Sequence, residues 1–114
     1  MKLNAWTNRI ANVRKIKNSK KPMAYQISRL HEEVSEMFME IRKGKDLHKI
    51  TYRKDDRGVD KPHGFIPELG DALVQILHIA DLAGVDPERA MEVALDYHER
   101  KQQASPTKKS QKGK

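Results

Sequence analysis

Two acidic clusters carry most of the chemical content of this sequence. The first is His31-Glu32-Glu33-Val34-Ser35-Glu36, with Glu40 one turn further on; the second is Glu68-Leu69-Gly70-Asp71. On a helix turning about 100° per residue, Glu33, Glu36 and Glu40 fall within about 60° of one another, while Glu32 points further out to solvent. The three lie along the border of an apolar stripe, nearest Met37, so a helix packed on that stripe also overhangs them. Glu68 and Asp71 begin a polar line, continued by Gln75 and His78, through a segment otherwise made of Phe65, Ile66, Leu69, Ala72, Leu73 and similar residues. Burying two unpaired carboxylates is costly, so this pair needs a cation or hydrogen-bond donors. Two helices that each offer a carboxylate pair at i and i+3 form an oxygen-only cage, which suits Mg²⁺ or Mn²⁺ and argues against zinc or copper. The competing interpretation is structural. Glu32 to Glu40 is also what a solvated helix face looks like, and Glu68 and Asp71 have Lys or Arg of a neighbouring helix as alternative partners. His78 reads more readily as a hydrogen-bonded buried histidine than as part of the site. His31, His48, His63 and His98 share no zinc-ligand spacing, and GKDLHK lacks the glycine pattern of a phosphate-binding loop.

The elements that must position these acids are helical. Leu3, Trp6, Ile10, Val13 and Ile16 predict a first helix over 3–17. Pro22 fits the first turn of a second, which runs to about Lys43 and stops at Gly44. Its apolar positions are Ile27, Leu30, Val34, Met37, Phe38 and Ile41, with a period of 3.6. Residues 44–63 read as a polar connection, long for a bare loop; the run ITYR at 50–53 is too short to signal a sheet. A third helix is predicted from about Gly64 to Ala83. Being apolar nearly all round, it is expected to be buried. Gly84 ends it, and Asp86 caps a fourth helix with Pro87 in its first position, fading after Arg100. The chain thus predicts an all-α bundle of about four helices in one domain over 1–104, followed by a disordered basic tail over 105–114.

Composition agrees with this frame. Charged residues make up 34% of the chain and aromatics 5%, a balance that suits helices better than a β-sandwich. The absence of cysteine excludes disulfides, thiolate metal sites and a Cys nucleophile. No apolar run approaches the length of a membrane span and residues 1–19 lack a signal-peptide core, so a cytoplasmic protein is expected. The formal net charge is +7, with Lys and Arg concentrated at 14–21 and 106–114, where there is no acid. Such runs attract phosphate. With one short helical domain and a third helix apolar on more faces than a thin bundle can cover, a homodimer or homotetramer is expected.

Glu32-Glu33-x-x-Glu36 followed by Glu68-x-x-Asp71 resembles the EExxE…ExxD signature of the MazG-like all-α nucleotide pyrophosphohydrolases. The similarity extends to HEEVSEMFMEIRKGK and to KPHGFIPELGDALVQILHIADLAGVDPERA, and covers roughly residues 25–100. The chain departs from several relatives in having Ala94 where a Lys stands, Tyr97-His98 in place of Tyr-Asn, and His78 where an acid often stands. The resemblance implies helical subunits that dimerise or form tetramers. It also implies Mg²⁺-dependent hydrolysis of a nucleoside triphosphate to monophosphate and pyrophosphate, with Glu33, Glu36, Glu68 and Asp71 as metal ligands. One motif glutamate, Glu36 or else Glu33, would orient the attacking water. Lys54, Arg57, Lys61, Arg100 and Lys101 are candidates for holding the phosphates. Two other classes fit the sequence: a small basic helical protein that binds nucleic acid, and a catalytically inactive relative acting as a binding module.

Overall fold

A computed structural model describes residues 2–17, 21–44 and 46–104. The fold is mostly helical, with four helices and one small sheet: α1 (Leu3–Lys17), α2 (Met23–Arg42), β1 (Thr51–Lys54), β2 (Asp60–His63), α3 (Phe65–Ala83) and α4 (Pro87–Gln103). Among the described residues no helix is long and apolar enough to cross a membrane. The proposed tail over 105–114 lies outside the described residues.

Local chemistry explains the helix ends. Pro22 sits just before α2 with φ −67° and ψ 159°, one position earlier than its expected place in the first turn. Lys43 caps the far end, and Gly44 turns away at φ 70°. Gly84 closes α3 in the left-handed conformation, with φ 69° and ψ 26°. The Asp86 carboxylate accepts from the Glu88 N–H at 2.9 Å with Pro87 in the first turn, as its sequence predicts. Helix α4 extends to Gln103, three residues past the expected fade.

The connection 44–63 is the main correction to the sequence reading. Instead of a bare loop it holds an antiparallel hairpin, and Thr51–Lys54, overlapping the run set aside as too short, is one of its strands. Its turn is organised by Asp55, whose carboxylate accepts from the Arg57 and Val59 N–H groups at 2.8 Å each. Those two bonds hold the Asp55 carboxyl below the usual carboxylate range. The hairpin returns to α3 through Gly64, at φ 135°, where a Cβ would stand 2.6 Å from the Lys49 carbonyl oxygen. Only glycine accepts both that angle and that approach.

Helix α3 packs chiefly on α2 and secondarily on α1, while α4 leans on α1. The α2–α3 pair is antiparallel: Gln26 near the start of α2 meets Gln75 in the second half of α3. The line of α2 that α3 covers is Gln26, Leu30, Glu33, Met37 and Glu40, spaced four, three, four and three. It is the acidic edge of the apolar stripe and not its centre, so Ile27, Val34, Phe38 and Ile41 stay exposed. Helix α3 is likewise not buried all round, since Ile66, Leu69, Leu73 and Ile76 remain exposed. Among the described residues the buried apolar ones are few, Ile10 and Ala72, beside Thr7, Gln26, Glu33, Gln75 and His78. The radius of gyration is 18.3 Å, whereas a well-packed chain of this length would have about 13 Å.

Candidate metal centre

Because α2 and α3 run antiparallel with the acidic edge between them, the two carboxylate pairs meet. Glu33, Glu36 and Glu68 each place a carboxylate oxygen within 4.8 Å of the others. Asp71, the fourth expected ligand, stands outside this trio at its exposed rim. It is still close enough that its charge raises the pKa of both Glu33 and Glu68. Oε1 of Glu33 and Oε1 of Glu68 are buried without a hydrogen-bond partner. Such orphaned oxygens are uncommon in folded proteins and call for a ligand or a proton.

The electrostatics follow from this crowding. Burial, with the charges of Glu36 and Asp71, pushes Glu68 up to about 7. Glu33 is raised by burial, then by Asp71 and Glu36, against the pull of Arg29. Asp71 is raised by burial and by Glu36, while Lys61, Arg14 and Arg29 draw it down. Glu33, Glu68 and Asp71 are thus harder to ionise than free acids, as expected for like charges gathered where water is partly excluded. Among the described residues no Lys or Arg forms an ion pair with Glu36, Glu68 or Asp71. Among the described residues, then, Glu68 and Asp71 lack the Lys or Arg partner that the structural alternative requires.

Glu33 does have a counter-ion that the sequence reading missed. Arg29 Nη2 lies 3.0 Å from Glu33 Oε2, and its Nη1 lies 3.0 Å from Glu32 Oε1. The signal was present in the i,i+3 and i,i+4 spacing. Glu32 points outward, its side chain 61% exposed, in keeping with its helical angle. Glu40 turns to Lys43 at 3.0 Å instead of joining the cluster.

Further along α3 the polar line enters the protein. Gln75 Nε2 donates to the backbone oxygen of Gln26 at 3.0 Å and to its Oε1 at 2.9 Å. His78 is buried as expected but is not satisfied: neither ring nitrogen has a partner among the described residues. Burial, together with the charge of Arg14, lowers its pKa. It stands two helical turns beyond Asp71, apart from the acid cluster.

The candidate phosphate-holding cations divide sharply. Lys61 on β2 acts on Asp71. Lys54 pairs with Asp60 at 3.0 Å, and Arg57 sits in the hairpin turn. Arg100 pairs with Asp96 at 3.0 Å, and Lys101 lies over the Tyr97 ring at 5.9 Å, both on α4. Compared with protein-family models, with curated proteins and with solved structures, the chain finds no match in any of the three. The donor set itself, three converging carboxylates with two orphaned oxygens and a fourth at the rim, fits a hard divalent cation such as Mg²⁺ or Mn²⁺.

Proposed function

We propose that this protein is a relative of the MazG-like pyrophosphohydrolases and hydrolyses a nucleoside triphosphate to the monophosphate and pyrophosphate. The observation that carries the reading is the convergence of Glu33, Glu36 and Glu68 from two helices, with buried oxygens left unpartnered. The EExxE…ExxD resemblance supports it. Glu33, Glu36, Glu68 and Asp71 would hold Mg²⁺, with Mn²⁺ as a substitute. When bound, the cation supplies the positive charge that lets a polyphosphate approach an acidic site and activates water for attack on phosphorus. Arg29 fixes the Glu33 carboxylate from one side and leaves its second oxygen free. Glu36, exposed in the cluster, would orient a water and accept its proton, with Glu33 as the alternative.

The same reading makes the functional unit a helical bundle completed by a second copy of the chain or by more, acting on a cytoplasmic nucleotide pool. The uncovered stripes on α2 (Ile27, Val34, Phe38, Ile41) and α3 (Ile66, Leu69, Leu73, Ile76) support that assembly. Incubation with each nucleoside triphosphate and Mg²⁺ tests the reaction. Release of pyrophosphate and monophosphate, absent with EDTA, is the expected result. Release of inorganic phosphate in its place, or no turnover of any of them, would refute it.

A further inference from the structure

The hairpin carries cations that the acid cluster does not neutralise. In its register Thr51 opposes His63, Tyr52 opposes Pro62, Arg53 opposes Lys61 and Lys54 opposes Asp60. Residues directly across an antiparallel pair, and those two along, project to the same side. Thr51, Arg53, Lys61 and His63 therefore share one face, and Tyr52, Lys54, Asp60 and Pro62 share the other. The second face neutralises itself through the Lys54–Asp60 pair at 3.0 Å. On the first, Arg53 Nη2 approaches His63 Nδ1 at 3.4 Å, and among the described residues neither Arg53 nor Lys61 has an acidic partner. Two like charges set directly opposite repel and weaken a hairpin. An anion shared between them would remove that repulsion.

The chain also fixes where this face stands. Strand β2 passes through Gly64 directly into α3, whose first two turns carry Glu68 and Asp71. The tight approach of Gly64 to Lys49 ties the base of the hairpin to that helix start. Strand β2 also packs against α3, and Lys61 lies within electrostatic reach of Asp71, which puts this strand beside the acidic edge.

We infer that the Arg53, Lys61 and His63 face of the hairpin is the anion subsite that receives the terminal phosphates of a nucleoside triphosphate beside the acid cluster. This rests on the metal-dependent hydrolase reading and deepens it. Arg53 offers planar donors matched to phosphate oxygens, Lys61 a compact charge, and His63 a ring N–H. Of the five cations named from the sequence, only Lys61 belongs to the subsite.

The test separates the two readings. Calorimetry first measures Mg²⁺ alone, then inorganic pyrophosphate in saturating Mg²⁺, for the parent and for Arg53→Met, Lys61→Met and the remote control Arg89→Ala. Circular dichroism checks that each is folded. The expected result is unchanged Mg²⁺ binding throughout, with pyrophosphate affinity reduced roughly ten- to a hundredfold in each hairpin variant and unchanged in Arg89→Ala. Loss of Mg²⁺ binding in the parent itself would defeat the metal centre. Intact Mg²⁺ binding would overturn the subsite alone if pyrophosphate then bound the hairpin variants within twofold of the parent, or failed to bind the parent.

Discussion

Replacing Glu68 by Gln tests the acid cluster without touching its packing. In the folded protein Glu68 ionises only near about 7, against an ordinary 4.5. Well below pH 4.5 it is protonated folded or unfolded and contributes nothing. Between these values the unfolded chain releases the proton and the folded one keeps it, so stability falls as pH rises. Above pH 7 the full difference is reached, at most about 3 kcal/mol at roughly 1.4 kcal/mol per tenfold and less where water screens the partly exposed carboxyl. Gln removes the charge and with it the penalty. In EDTA at pH 8, Glu68→Gln should therefore be more stable than the parent by about 1–3 kcal/mol, which for a domain of this size raises Tm by roughly 5–10 °C. The advantage should shrink to a few tenths of a kcal/mol, roughly RT ln 2, at pH 4.5 and fade further at pH 4. His78, whose lowered pKa makes the protein lose stability as pH falls below 6.5, contributes equally to both melts and cancels. Saturating Mg²⁺ should reverse the order, because only the parent keeps its full ligand set. Thermal melts of both proteins from pH 4 to 8.5, with EDTA and with Mg²⁺, measure all of this. A variant that melts below the parent at pH 8 in EDTA, or a gap independent of pH, would show that Glu68 is not held among unneutralised carboxylates.

Asp71→Asn is expected to abolish Mg²⁺-dependent pyrophosphate release while melting, without metal, at or above the parent temperature, since Asp71 is raised by burial and by Glu36; full activity would remove Asp71 from the site. Gly64→Ala is expected to cost about 1–3 kcal/mol, read as a lower urea midpoint, because the new Cβ meets the Lys49 carbonyl at 2.6 Å. An unchanged midpoint would mean the hairpin base yields freely. Light scattering at micromolar concentration is expected to give a dimer or larger species, and a monomer mass would contradict the assembly proposed for the uncovered stripes.

The four helices were legible because period, glycine and caps agree: Gly44 and Gly84 stand where the helices end, and Asp86-Pro87 where one begins. The hairpin was not, because TYRK and DKPH are exposed on nearly every residue and so carry no alternation of apolar and polar positions. Its turn chemistry, Asp55 ahead of Gly58, was in the sequence but gains meaning only once the strands pair. At the site, the axial spacing of the acids was readable. Which edge of the α2 stripe α3 would cover was not, and that choice decides that Glu33 is buried, that Glu40 is left to Lys43 and that Phe38 stays exposed. The unpartnered ring of His78 has the same origin: a residue type can be placed on a helix face from sequence, but its neighbours depend on how the helices are rotated.

Helix α4 has no buried residue and leans on α1 across an apolar groove of about 880 Å³ lined by Trp6, Ile10, Leu73, Ile76 and Met91. A helix held by so little opens on its own, ahead of global unfolding, and its amides should exchange with solvent long before those of α3. Whatever occupies the groove binds the closed form and not the open one, so it adds RT ln(1 + [L]/Kd) to the stability of the segment. The hydrogen-exchange rate of α4 is thus a gauge of self-association through the groove: slow exchange at high protein concentration that quickens on dilution would register a second copy of the chain seated there, and a rate indifferent to dilution would show that no second copy contributes.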